Sequence, residues 1–168
     1  MKHSVKNNLK DFATASFAFA GRFFLPSNFA ALGASGFTSQ KPFAFAVSIF
    51  LFDRFFAGFY QGFLWTYLGF AAYPIFGYLA RKFPTWRLTF LVLASLSFFF
   101  FSNFGVFLAW YPQSLSGFIL CYSLALPFFA ATLASDLFFT ALYFLLPRGW
   151  QWLQKNVRVI QPANSLHN

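Results

Sequence analysis

The 168-residue sequence has no Glu and only three Asp, at Asp11, Asp53 and Asp136. That shortage removes most carboxylate acid/base chemistry. One cysteine, Cys121, excludes an internal disulfide, and the two histidines, His3 and His167, stand at opposite ends of the chain. A zinc centre needs three or four convergent N, S or O ligands, so no metal site, catalytic residue or cofactor is expected. Charged residues make up 9% of the chain, against roughly 25% in a soluble domain. What fills the space is apolar: 59% of residues are hydrophobic and 31 are Phe. The remaining charge is one-sided, with twelve Lys and Arg giving a net +9.

A bilayer core about 30 Å thick needs roughly 20 helical residues per crossing. Residues 88–147 carry no Lys or Arg and one acid, enough helix to cross more than twice. A closed β-barrel would need short alternating segments, which runs such as 98–101, all Phe, do not provide. The expected class is an all-α integral membrane protein, with a basic N-terminus over 1–11, a helical membrane domain over 12–147 and a basic, polar tail over 148–168.

Apolar stretches run over 12–25, 28–40, 43–60, 63–80, 88–110 and 116–146. Lys and Arg cluster at Lys2/Lys6/Lys10, at Arg81/Lys82/Arg87 and at Arg148/Lys155/Arg158. The positive-inside rule puts all three clusters in the cytoplasm, which requires an even number of crossings between them. Six helices satisfy this, with both termini cytoplasmic and the first two helices short. Asp11 interrupts the entry to the first stretch, so the basic start reads as an orientation signal rather than a cleaved leader. Pro127 divides the last stretch, predicting an outer-surface helix over 116–126 and a spanning helix over 127–146 that begins on the proline.

An ionised side chain at mid-bilayer costs on the order of 3 kcal/mol on insertion scales, so each needs a partner or a role. Arg22, Asp53, Arg54 and Asp136 lie within the apolar stretches. Asp53 and Asp136, or Arg22 with one of them, can line a polar cavity, or can serve as interhelical packing contacts. A second group falls near the outer ends of the helices: Asn28, Tyr60, Gln61, Asn103, Tyr111, Gln113 and Tyr122. Asn28 and Asn103 share the tripeptide Ser-Asn-Phe, and a buried amide needs hydrogen-bond partners. Small residues four apart, including Ser16 with Ala20 and Gly58 with Gly62, allow helix backbones to approach.

The run from Ser102 to Phe107, followed by Tyr111-Pro112, Gly117, Cys121-Tyr122, Leu126-Pro127-Phe128-Phe129, Thr132-Leu133 and Asp136-Leu137, resembles a family of small bacterial membrane proteins of unknown function. That family is described as candidate transport proteins, similar to the substrate-binding S components of energy-coupling-factor transporters. Arg22, Pro26, Asn28-Phe29, Gly33, Asp53 and Gly58-Phe59-Tyr60 extend the resemblance over about residues 20–146. Departures are Ala130-Ala131, where the family commonly has a polar pair, and Ser135, where it has Gly. The resemblance implies a six-helix subunit of the bacterial inner membrane that binds a vitamin or other micronutrient near the outer face. Small residues of the first helix, here Ser16 and Ala20, would dock on a transmembrane coupling subunit served by an ATPase pair. The chain has no phosphate-binding Gly-rich loop of its own.

Three readings follow. In the first, a substrate-capture subunit, the candidate ligand-binding set is Arg22, Asn28, Asp53, Tyr60, Gln61, Asn103, Tyr111, Tyr122 and Asp136. The second is a non-catalytic structural subunit of the cell envelope. The third, an intramembrane aspartyl enzyme, needs Asp53 and Asp136 to share a proton.

Overall fold

The computed structural model describes Ser16, Ala20, Phe24 and residues 29–159. Among these residues every regular element is helical. Helix α1 covers Leu32–Thr38, and α2 covers Pro42–Phe52 and continues as a π-helical turn over Asp53–Ala57. Helix α3 covers Phe63–Lys82, a 3-10 turn covers Pro84–Trp86, α4 covers Arg87–Trp110 and α5 covers Leu115–Val159.

Local chemistry sets these boundaries. Pro42 opens α2, where its missing N–H costs nothing, and Ser39 Oγ accepts the Lys41 N–H at 3.1 Å in the turn before it. The π turn is closed by the Gly58 N–H on the Asp53 carbonyl at 2.7 Å, and Gly58 leaves it at φ 76°, where a side chain is disfavoured. Pro84 starts the tight link between α3 and α4. Beyond Trp110 the chain turns at Pro112, and the Gln113 amide donates to the carbonyls of Phe107, Leu108 and Tyr111, capping α4. Ser114 then accepts the Gly117 N–H at 3.2 Å as the N-cap of α5.

Among the described residues, three helical stretches are long and apolar enough to cross a membrane: Phe63–Lys82, Pro84–Trp110 and Leu115–Pro147. This differs from the six expected. The stretch over 28–40 yields only the seven-residue α1, about 10 Å long. The stretch over 43–60 yields eleven α-helical and five π-helical residues, at most about 24 Å. The stretch over 12–25 lies outside the described residues apart from Ser16, Ala20 and Phe24.

The expected surface helix before the last span is also absent. Helix α5 runs unbroken through Pro127 and on through Pro147 to Val159. The physical reason is the low dielectric of lipid. Ending a helix there exposes up to four carbonyls, and starting another exposes four N–H groups. Continuing through proline gives up a single backbone hydrogen bond.

The three long helices run alternately up and down, so the turn at Arg81–Arg87 marks one end of the bundle and Trp110 marks the other. Helix α1 lies against α3 at the Arg81 end, where Arg81 donates to the Ser39 carbonyl at 3.1 Å. Glycine makes that contact close: a Cβ on Gly77 would stand 2.0 Å from the Phe37 carbonyl oxygen. At the Trp110 end, Gly62, at φ 90°, meets the backbone of Gly105. The apolar core joins Phe37, Tyr73, Ala80, Leu91 and Ala94, with Phe70, Phe76, Phe90 and Phe98 packed on it.

Polarity is arranged inside out. Ser35, Thr38, Asp53, Ser95, Ser135, Asp136 and Thr140 are buried, while Leu64, Leu68, Ile75, Leu120, Leu124, Leu126 and Phe128 are exposed. In water that surface would be a large apolar patch; against lipid chains it needs no cover.

Candidate functional site

Two polar sites stand out in this apolar bundle: a buried junction at half depth and a cleft at the Trp110 end. The junction centres on Asp136 of α5, which is 1% exposed. Tyr73 of α3 and Ser95 of α4 both donate to its Oδ2, each at 2.6 Å. Its Oδ1 lies so close to α1 that a Cβ on Gly33 would come within 2.1 Å of it. Next to it in the chain, Ser135 donates to the Ala30 carbonyl at 2.8 Å. One residue pair of α5 therefore ties together α3, α4 and the start of α1. Tyr73 is about ten residues from either end of α3, roughly 15 Å, which is half the thickness of a bilayer core.

The cleft has a volume of about 310 Å³. Thr66 of α3, residues of α4 from Phe98 to Val106 and residues of α5 from Ala125 to Thr132 form its walls, and Tyr60 covers its rim. Tyr60 stacks on Trp110 at 6.2 Å and is hydrogen-bonded to Thr66. Phe98 forms the floor, and its ring packs against Tyr73 at 5.9 Å, separating the cleft from the Asp136 junction.

The polar groups of the cleft share one property. Ser102 donates to the Phe98 carbonyl at 2.7 Å, Thr132 to the Phe128 carbonyl at 3.0 Å, and the Asn103 amide to the Phe99 carbonyl at 2.8 Å. Ser102 and Thr132 thereby spend their one side-chain donor on their own helix and keep oxygen lone pairs for the cleft, while Asn103 keeps its amide oxygen and a second N–H. Among the described residues no Lys, Arg or Asp lines it. Among the described residues the wall offers mainly hydrogen-bond acceptors, carries no formal charge, and is otherwise built largely of Phe rings.

A model of a family of unknown function, DUF6580, matches residues 12–160. The chain belongs to that family. The match takes in every described helix, so the junction and the cleft both lie within the family's extent. No curated protein and no solved structure matches the chain.

Of the residues singled out from sequence, Tyr60 and Asn103 line the cleft. Asp136 does not; it is sealed in the junction. Asp53 is buried in the π turn, where Tyr67 donates to it at 2.9 Å. Tyr122 donates to the Phe100 carbonyl at 2.8 Å and packs on Phe99 and Phe118, bracing α5 against α4 outside the cleft. Tyr111 terminates α4, and Gln61 is exposed in the loop before α3. Ser16 and Ala20 are helical and exposed. Arg22 and Asn28 lie outside the described residues. An aspartyl dyad would need one shared proton, yet the two carboxylates bond Tyr67 and Tyr73, six residues and about 9 Å apart along α3.

Sequence reading missed Tyr73 and Ser95 as the partners of Asp136, and Thr66 and Thr132 in the cleft. A signal was present for the first pair. Each is a polar side chain well inside an otherwise apolar stretch, where a mid-depth carboxylate needs donors.

Proposed function

We propose that this protein is a substrate-capture subunit of a bacterial membrane transport system, taking an uncharged or cationic, vitamin-like micronutrient into the cleft between α3, α4 and α5. The observation that carries the reading is the cleft's wall: aromatic rings interrupted by a few oriented acceptors, in a volume of about 310 Å³, at the small end of small-molecule sites. A ligand with an apolar or aromatic body and N–H or O–H groups matches that wall. An anionic ligand does not, because no cationic side chain among the described lining residues would answer its charge.

The orientation follows from charge. Arg81, Lys82, Arg87 and Lys41 gather at one end, since Arg81 reaches the Ser39 carbonyl, and the positive-inside rule assigns that end to the cytoplasm. The cleft at the opposite end then opens outward. Residues 42–60 leave the Arg81 level and reach Thr66 and Trp110, so they serve as a further, short crossing. Helix α5 starts at the Trp110 end, so on this orientation its C-terminal end lies in the cytoplasm of a bacterial inner membrane. Exposed Ser16 and Ala20 offer a close-approach face for a transmembrane coupling subunit, which would bring the ATPase pair that powers release.

The test is purification in mild detergent, with mass spectrometry of small molecules that stay bound. Wild type should retain a donor-bearing, non-anionic compound, and Asn103→Leu, which removes one acceptor, should lose it while remaining folded. Absence of any retained compound from the wild type, together with copurification of envelope-synthesis proteins in place of an ATPase pair, would replace this reading with the structural-subunit one.

A further inference from the structure

At the Arg81 end, α1, α3, α4 and α5 enclose a second cavity, of about 90 Å³, a few water molecules' worth of space. Phe37, Gly77 and Ala80 form its apolar side, and Arg81 and Arg87 both line it. Among the described residues neither guanidinium has a carboxylate to answer it. Of the two aspartates among the described residues, Asp136 is held by Tyr73 and Ser95, and Asp53 lies in the π turn near the other end of the bundle.

Each arginine is held in place without using up its donors. Arg81 spends one N–H on the Ser39 carbonyl at 3.1 Å. Arg87 lays the face of its guanidinium over Phe144, 4.4 Å from the ring centre. Stacking uses the face of the group, so its N–H donors, which all lie in the plane, remain around the edge. Two fixed, planar, permanently charged donors beside one small cavity suit a tetrahedral oxyanion, which each can meet with paired N–H bonds.

We propose that this cavity is a binding site for a phosphate-ester oxyanion, belonging either to an anionic lipid headgroup or to a free phosphate compound. The site stands between helices beside the basic α3–α4 turn that carries Arg81, Lys82 and Arg87, the kind of position in which basic pockets meet headgroups. It is independent of the cleft, and its anion would clamp α1 and α5 to the α3–α4 turn.

The test uses the full chain in a neutral maltoside detergent. Thermal unfolding and native mass spectrometry follow titration with phosphatidylglycerol, phosphatidylcholine or inorganic phosphate. Phosphatidylglycerol should stabilise the wild type and phosphatidylcholine should not. Arg81→Gln and Arg87→Gln should each weaken the apparent affinity about tenfold, the loss of one charge-assisted contact. Lys82→Gln removes the same charge but is not a lining residue, and should stay within about twofold of the wild type. Arg87→Lys keeps the charge without the planar edge and should fall between; it also carries the test should Arg87→Gln fail to fold. Stabilisation by inorganic phosphate as strong as that by phosphatidylglycerol assigns the site to a free phosphate; stabilisation by the lipid alone assigns it to a headgroup. Equal losses in Lys82→Gln and Arg87→Gln, equal responses to both lipids, or no response to any of the three probes would overturn the proposal.

Discussion

The junction at Asp136 makes a quantitative prediction about coupling. Tyr73 and Ser95 both donate to Oδ2 of a carboxylate that is 1% exposed, so either hydroxyl alone still leaves that oxygen one partner. Removing one donor should therefore cost about 1 kcal/mol, in line with interhelical hydrogen bonds in membrane bundles. Ser95→Ala should sit at the low end, because Ser95 Oγ also lies 3.1 Å from the Leu91 carbonyl. Removing both leaves the buried carboxylate without either hydroxyl donor, and the cost should rise to about 3–5 kcal/mol. The cycle of Tyr73→Phe, Ser95→Ala and the double variant should thus show a coupling of at least about 1 kcal/mol, where independent sites add to within about 0.5. Helical ellipticity and tryptophan fluorescence during titration of the detergent-solubilised protein with dodecyl sulfate would measure it. Additive losses across the cycle would refute the idea that the two hydroxyls share one acceptor that must be satisfied.

Four further substitutions test the packing. Gly77→Ala should be more damaging than Gly33→Ala: the first puts a Cβ 2.0 Å from the Phe37 backbone carbonyl, whereas the second meets the side chains of Asp136 and Tyr73, which can move. Both exceed ordinary overpacking of about 1–3 kcal/mol in geometry, and the same dodecyl sulfate titration ranks them. Gly62→Ala should lower the unfolding midpoint, since the residue needs φ 90° and a Cβ would stand 2.8 Å from the Gly105 carbonyl oxygen. Pro127→Ala should leave thermal stability unchanged or higher, because it restores a backbone bond inside a continuous α5; a clear loss would mean that the proline starts a separate helix. For the cleft, Thr132→Val keeps shape but deletes an acceptor, so equilibrium dialysis with the retained compound should show weaker binding with no change in unfolding midpoint.

Much of the architecture was legible because it depends on composition. A chain with 9% charged residues and 31 Phe has little means of building a water-soluble surface, so helical membrane character follows. The three long helices were visible as long apolar runs. The shorter elements were misjudged because hydropathy measures greasiness and not helix length. Residues 28–40 are apolar enough to suggest a crossing, yet Ser39 and Lys41 form a turn after a seven-residue helix. Pro127 misled for a related reason: its propensity favours a helix start, but the cost of eight unpaired backbone groups in lipid outweighs one lost bond.

By itself the sequence determined the class of the protein, its sparse charges and the end of the bundle at which the cations gather, since these follow from residue types and their order. It also marked Asp136 as a residue needing partners. Only the tertiary structure decided who those partners are and that Asp136 is sealed away from the cleft by Phe98. The same holds for the cleft's hydrogen-bond sense and for the meeting of Arg81 and Arg87 at one cavity. Hydrogen bonds and cavities depend on which faces of separate helices meet, and in an apolar chain those faces are chosen by close backbone contact at Gly62 and Gly77 and by the room Gly33 leaves for Asp136 and Tyr73, not by a hydrophobic pattern.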